Sequence, residues 1–359
     1  MPDVEMMNVA VVETHQSIDV DLTATYMAII EHAEEMIAKR TRDSTVFGQV
    51  VCIQGPPNSG KSSVLEDLAD LYLQSGRSVL YLTYNKRKQA IALDRFIQRG
   101  VVPREGCFDC RTFHSFAYNH VSFMFLTDAE LLTEMRGHFQ SEISQWLAEP
   151  ASQGMSEQSL LCTVITVLKT WCYSSDPPER LFAPSHLQSL SVQKTLSLFN
   201  LPLRALLTVL VHRIWLEICL VGNKMTPDLY LKRAQIEKMA ISYDVILIDD
   251  YQHMNACERH LFIAQQSRGD IPQTTKDIFV TGNPEERSYA FRGASPVLDP
   301  GLINQRFELS KQFGYMEPTQ PTLIQTEEVC SQSAVGNIQV RLEQVHITSL
   351  IDSDDETEV

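Results

Sequence analysis

The chain has 359 residues, room for one large or two ordinary domains, and 44% are hydrophobic, enough to bury a substantial core. A formal net charge of −15 argues against an indiscriminate nucleic-acid coat, although part of it sits in Asp352-Ser353-Asp354-Asp355-Glu356-Thr357-Glu358 and leaves room for a local basic groove. The eight cysteines form no disulfide framework, which points to a reducing compartment.

In chain order, residues 1–20 show no period and read as a flexible arm with no signal-type segment. Leu22 to Lys39 reads as a helix, with Lys39 and Arg40 in its last turn. The apolar run Val50-Val51-Cys52-Ile53 then leads into Gly55-Pro56-Pro57-Asn58-Ser59-Gly60-Lys61-Ser62, a G-x-x-x-x-G-K-S pattern. Val64, Leu65, Leu68, Leu71 and Tyr72 follow at helical spacing. Strand, glycine loop and helix together predict a phosphate cradle: glycines let backbone N–H groups close round an anion, and the helix start adds partial positive charge. In that reading Lys61 reaches the β- and γ-phosphates and the Ser62 hydroxyl ligates Mg²⁺.

Ser78–Thr83 predicts a second strand, Lys86–Gln98 a helix ending at Gly100, and Cys107–Arg111 a third strand. Cys107 and Cys110 form a C-x-x-C with no second ligand pair, so a strand edge is preferred to zinc. From about residue 126 to 240 helical patterns dominate, as in an insertion. Its most apolar run, Ala205 to Val221, contains His212, Arg213 and Glu217 and reads as a buried helix, not a membrane span. Buried-strand signals return at Asp244–Asp249 and Asp277–Gly282. Short apolar strands separated by helices predict an α/β fold with a parallel sheet covered on both faces. Its ligands bind beyond the carboxyl ends of the strands, where Asp249 and Gly282-Asn283 fall. Asp249 is then the candidate Mg²⁺ carboxylate, and Asp250 the candidate water-activating one.

These motifs, joined with Tyr81-Leu82-Thr83-Tyr84-Asn85-Lys86, Thr112-Phe113-His114-Ser115-Phe116-Ala117-Tyr118, Asp249-Asp250-Tyr251-Gln252, Gly282-Asn283-Pro284 and Tyr289-Ala290-Phe291-Arg292-Gly293-Ala294, resemble those of the UvrD/Rep-type superfamily 1 DNA helicases. The segment Met225–Lys232 resembles the eukaryotic F-box DNA helicase branch in particular. The resemblance spans roughly residues 20 to 315 and covers the first of the family's two RecA-like halves. It implies a P-loop NTPase domain in two parts, residues 21–125 and 241–316, on either side of the helical insertion read at 126–240; after residue 316 the pattern decays, and the acidic composition reads 317–359 as a divergent, disordered tail. It also implies ATP and Mg²⁺ as cofactors, single-stranded DNA as a partner and a nuclear location; a protein partner belongs to the alternative reading as an interaction module, and no membrane association is expected from the apolar runs.

Carried over by position, the resemblance makes Tyr84, Asn85, Thr112 and His114 DNA contacts and makes Tyr289 and Phe291 aromatics on which bases stack. Arg292 matches an arginine that steadies the acidic motif. The departures imply impaired hydrolysis. Asp250 stands where the family has glutamate, and Glu286 where it has a glutamine that senses the γ-phosphate. Tyr26 lies near the place of an adenine-reading glutamine. Gly314 falls where the family has a γ-phosphate arginine, with Arg306 a substitute under a shifted register. The expectation is a nucleotide- and DNA-binding family member with slow ATP hydrolysis and no autonomous unwinding. The alternatives are an active 3′–5′ helicase of repair and recombination, or a non-catalytic decoy or interaction module.

Overall fold

The computed structural model describes residues 24–43, 46–121, 123–148, 156–181, 201–265, 276–286 and 288–309, with side chains from 207 onward in the segment that starts at 201. The chain divides into two units, Met1–Gly314 and Tyr315–Val359, and every described residue belongs to the first. The expected arm at 1–20, the tail at 317–359 and Gly314 lie outside the described residues.

Among the described residues, six strands form one parallel sheet: β1 (Val50–Gln54), β2 (Val79–Thr83), β3 (Phe108–Thr112), β6 (Val245–Ile248), β7 (Asp277–Gly282) and β8 (Gln305–Glu308). Their order is β3-β2-β6-β7-β1-β8. The expected α/β class is therefore observed, in an arrangement consistent with a RecA-like fold. Alternate residues of each strand feed opposite cores, as the pleat requires. Val50, Cys52, Leu80, Leu82, Ile246, Ile248, Ile278 and Val280 face one. Val51, Ile53, Val79, Tyr81, Val245, Leu247 and Phe279 face the other. The second core is closed by helix α1 over 24–42, α2 (Lys61–Gln74) and α3 (Lys86–Gln98).

The first core runs without a break into the insertion. It joins α4 (Phe113–Tyr118), α5 (Asp128–Leu147), α6 (Glu157–Cys172) and α8 (Pro227–Ile236), and holds the buried Trp171 and Trp215 edge to face with centroids 5.0 Å apart. The insertion is thus packed on the sheet as part of one core. A two-stranded parallel ladder, β4 (Met124–Phe125) with β5 (Lys224–Met225), closes its neck. Strands this short carry no readable period, so the sequence shows neither β4 nor, within the stretch expected to be helical, β5.

The run Ala205–Val221 is helical, but not wholly buried. Helix α7 (Leu201–Arg213) passes into a π-helical stretch, Ile214–Val221. There Ile214, Trp215, Ile218 and Cys219 are buried while Leu216 and Val221 are exposed. Seven of these eight residues are apolar, more than one helical face can turn to the core, so some aliphatic side chains stay in solvent. No helix among the described residues is long and apolar enough to cross a membrane. Strand β8 also escaped the sequence, because an edge strand with exposed Gln305, Arg306 and Glu308 has no apolar run.

The topology sets three strand ends side by side. β7 lies between β1 and β6, and the Gly55 N–H donates to the Gly282 carbonyl at 3.1 Å. On the other flank the Leu309 N–H donates to the Gln54 carbonyl at 2.7 Å. The 55–62 loop is therefore pinned at its root from both sides.

Candidate nucleotide site at the strand ends

The loop from Gly55 to Gly60 turns the chain from β1 into α2. Asn58 and Gly60 take positive φ, 60° and 85°, and Gly60 caps α2 with no side-chain bond. The first bond of that helix runs from the Val64 N–H to the Gly60 carbonyl, so the preceding N–H groups lie ahead of its ladder. A Cβ on Gly55 would meet Ser59 Oγ at 2.6 Å and the Leu309 carbonyl at 2.8 Å, so this close turn admits only glycine. Ser59 Oγ is buried without a hydrogen-bond partner. Lys61 Nζ donates to the Gly55 and Pro56 carbonyls at 2.9 and 2.6 Å, folding its charge into the loop. Burial holds its ammonium below the usual lysine range, opposed by Asp249.

Ser62 Oγ donates to Asp249 Oδ2 at 2.9 Å. Thr281 Oγ1 donates to Asp249 Oδ1 at 2.8 Å, and the Tyr81 hydroxyl reaches Oδ2 at 3.4 Å. The carboxylate at the end of β6 is thus oriented by β7 and β2. A hydroxyl and a carboxylate in contact at the head of a helix suit a hard cation that takes its remaining oxygens from phosphate and water, as Mg²⁺ does. Among the described residues no group of three or more His, Cys, Asp or Glu side chains is placed to hold a metal alone.

Asp250 follows in the left-handed region, φ 61° and ψ 55°. Its carboxylate is engaged twice: by Lys88 Nζ from the first turn of α3, and by Gln252 Nε2 at 3.1 Å. The same Gln252 amide donates to Glu286 Oε2 at 3.1 Å, and its carbonyl accepts from the Asn283 N–H at 3.1 Å. One amide therefore spans Asp250, Asn283 and Glu286. Glu286 Oε1 also lies 3.5 Å from His253 Nε2.

His253 begins an aromatic group. Its ring centroid is 5.2 Å from that of Tyr84 and 5.1 Å from that of Tyr289, while Tyr84 and Tyr289 are 4.5 Å apart. Phe291 stands 81% exposed, 6.1 Å from Tyr289. Beneath them Arg292 donates to the Tyr84 hydroxyl at 3.2 Å and to Asp228 Oδ1 at 3.0 Å. Asp228 also accepts from the Tyr173 hydroxyl at 3.2 Å, with His114 Nε2 3.6 Å away. Burial alone raises the Asp228 carboxyl, but His114, Arg292 and Lys169 outweigh it and hold it well below the usual range. Burial also pushes the Tyr84 hydroxyl up to about 12.

The fold thus gathers Gly55–Ser62, Asp249, Asp250 and Glu286 at one edge, and Tyr84, Tyr289, Phe291 and Arg292 beside it. It gives other expected residues additional work. Thr112 is buried and caps α4, accepting from the Ser115 N–H at 3.1 Å. Asn85 caps α3, accepting from the Lys88 N–H at 2.9 Å. The Tyr26 hydroxyl donates to Asp67, six residues beyond Lys61 and so about 9 Å along α2. Arg306 lies opposite Cys52 in the β1–β8 register, three residues back from Gly55 and so roughly 10 Å from the loop.

Sequence reasoning did not single out Lys88, Asp228, Tyr173, Gln252, His253 or Thr281 as site residues. Gln252 and His253 could have been suspected from their place just after the paired aspartates. Lys88 and Tyr173 carry no local signal. Compared with known proteins, the chain matches no family model and no curated protein.

Proposed function

We propose that this chain is a divergent relative of the UvrD/Rep-type helicases. It binds Mg²⁺-ATP at the 55–62 loop and single-stranded DNA along the Tyr84–Tyr289–Phe291 surface, with slow ATP hydrolysis and no unwinding by itself. The observation that carries the reading is the convergence of Lys61, Ser62 and Asp249 beyond the ends of β1 and β6, the two strands that flank β7, with Ser62 and Asp249 2.9 Å apart. Lysine for phosphate and a hydroxyl–carboxylate pair for Mg²⁺ are what a nucleotide triphosphate needs. The exposed Phe291 beside Tyr289 supports base stacking, which is blind to sequence.

The test is calorimetry with Mg²⁺-ATP. Lys61→Ala should remove most of the affinity, since a charge-assisted contact is worth about 1.5–3 kcal/mol. Equal affinity in wild type and variant sinks the reading. A second reading, a catalytically silent binding module, is favoured by the engagement of Asp250 with Lys88 and Gln252. ATP turnover with and without single-stranded DNA separates the two.

A further inference from the structure

The rim of the 55–62 loop carries three carboxylates, Asp249, Asp250 and Glu286, the last two joined through Gln252. A triphosphate entering there brings more negative charge, against Lys61 as the loop's own cation. A second cation is nevertheless in place. Lys88 extends from the first turn of α3, its backbone fixed by the Asn85 cap at 2.9 Å, and its ammonium rests on Asp250. Its side chain is 44% exposed while that of Asp250 is 9% exposed, so the ammonium is open to solvent and the carboxylate it rests on is buried. The Lys88 charge also acts on Lys61 and His253, adding to the burial that holds both low.

We propose that Lys88 is a second phosphate-contacting cation, which leaves Asp250 for the terminal phosphate of an incoming nucleoside triphosphate and makes the pocket prefer triphosphate to diphosphate. This rests on the nucleotide site proposed above. Several features follow from it. An ammonium on a flexible stem can shift by a few ångströms to a new oxygen without moving α3. Its departure frees Asp250 in the same event that delivers the phosphate. It also offsets the repulsion that Glu286 exerts on a terminal phosphate, which a diphosphate does not present.

The experiment is calorimetry of the full chain with Mg²⁺ and either the β,γ-imido analogue of ATP or ADP, on wild type, Lys88→Ala, Lys88→Gln, Lys88→Arg and Lys61→Ala, each checked for folding by its melting curve. Lys88→Ala and Lys88→Gln should weaken the triphosphate analogue about tenfold or more and ADP less than about twofold. Lys88→Arg should keep most of the preference, since it retains the charge. The two neutral variants back each other should one fail to fold. An equal loss for both nucleotides, no loss, or a wild type with no triphosphate preference overturns the proposal and leaves the nucleotide site standing. Wild-type protein that binds neither nucleotide overturns both.

Discussion

At Asp250 the backbone adopts φ 61° and ψ 55°, a region that aspartate tolerates better than most residues. That conformation directs the carboxylate to Lys88 and Gln252. In the proposed reading, lengthening the side chain alone leaves Glu286 facing the terminal phosphate and Gly314 where the family has its arginine. Asp250→Glu should therefore stay nearly inactive in a phosphate-release assay. Asp250→Glu with Glu286→Gln and Gly314→Arg should recover some hydrolysis, because such groups act as one unit. Restoration by the single change would refute this. Asp228 tests another interaction. Its folded carboxyl titrates below its unfolded value near 3.9, so the stabilisation is present above about pH 4 and is lost as pH falls toward the folded value. Asp228→Ala should cost about 3 kcal/mol at pH 7, the low end for a broken buried pair, because 27% of the Arg292 side chain stays exposed. Thermal melts at pH 7 and pH 3 should show wild type losing stability on acidification by more than Asp228→Asn does.

Among the elements, β7 is tightly constrained, since all six of its residues are buried and it joins β1 to β6. It ends at Gly282, where a Cβ would lie 2.5 Å from Gln252 Oε1 and 2.6 Å from the Tyr251 ring. Gly282→Ala should destabilise by about 1–3 kcal/mol through overpacking and should weaken nucleotide binding by displacing Gln252. The contrasting site is Gly137 in α5, which has open space around its Cβ direction. Gly137→Ala should stabilise by about 0.5–1 kcal/mol, because alanine loses less entropy in a helix. Denaturant melts that move both variants the same way would contradict this account.

For the whole molecule, the proposal predicts weak, salt-sensitive binding to single-stranded DNA with little base preference. Losing Tyr289 or Phe291 should cost about 1–3 kcal/mol for one stacked base. Deleting residues 352–359, which carry the acidic run, should tighten binding by lowering the net negative charge that repels the phosphate backbone. No binding at low salt, even after that deletion, would refute the DNA proposal. Turnover should be very slow, since an activating arginine is worth about 10³–10⁵ in rate in such NTPases. Strand separation needs two halves that open and close round ATP, and the motifs here match one. Hydrolysis at several per second with duplex unwinding would overturn the reading.

The strands that position the candidate site were legible where they were apolar and central. β2, β6 and β7 are buried along their length and β1 at every residue but Gln54, so their apolar runs mark them without help from distant residues. The glycine loop was legible because its spacing and flanks are local. β8, the β4–β5 neck and the π-helical turn at Ile214–Val221 were not, because an exposed edge, a two-residue strand and a change of helical pitch leave no period in the sequence. The site divides in the same way. Lys61, Ser62 and Asp249 follow from local pattern. Lys88 meets Asp250 across 162 residues, and Arg292 meets Asp228 across 64, so only the packed sheet and insertion bring them together. Spacing along the chain determined which residues could hold a phosphate. Tertiary packing decided which charges face them, because ion pairs between distant elements depend on where the strands end and how the helices cover them.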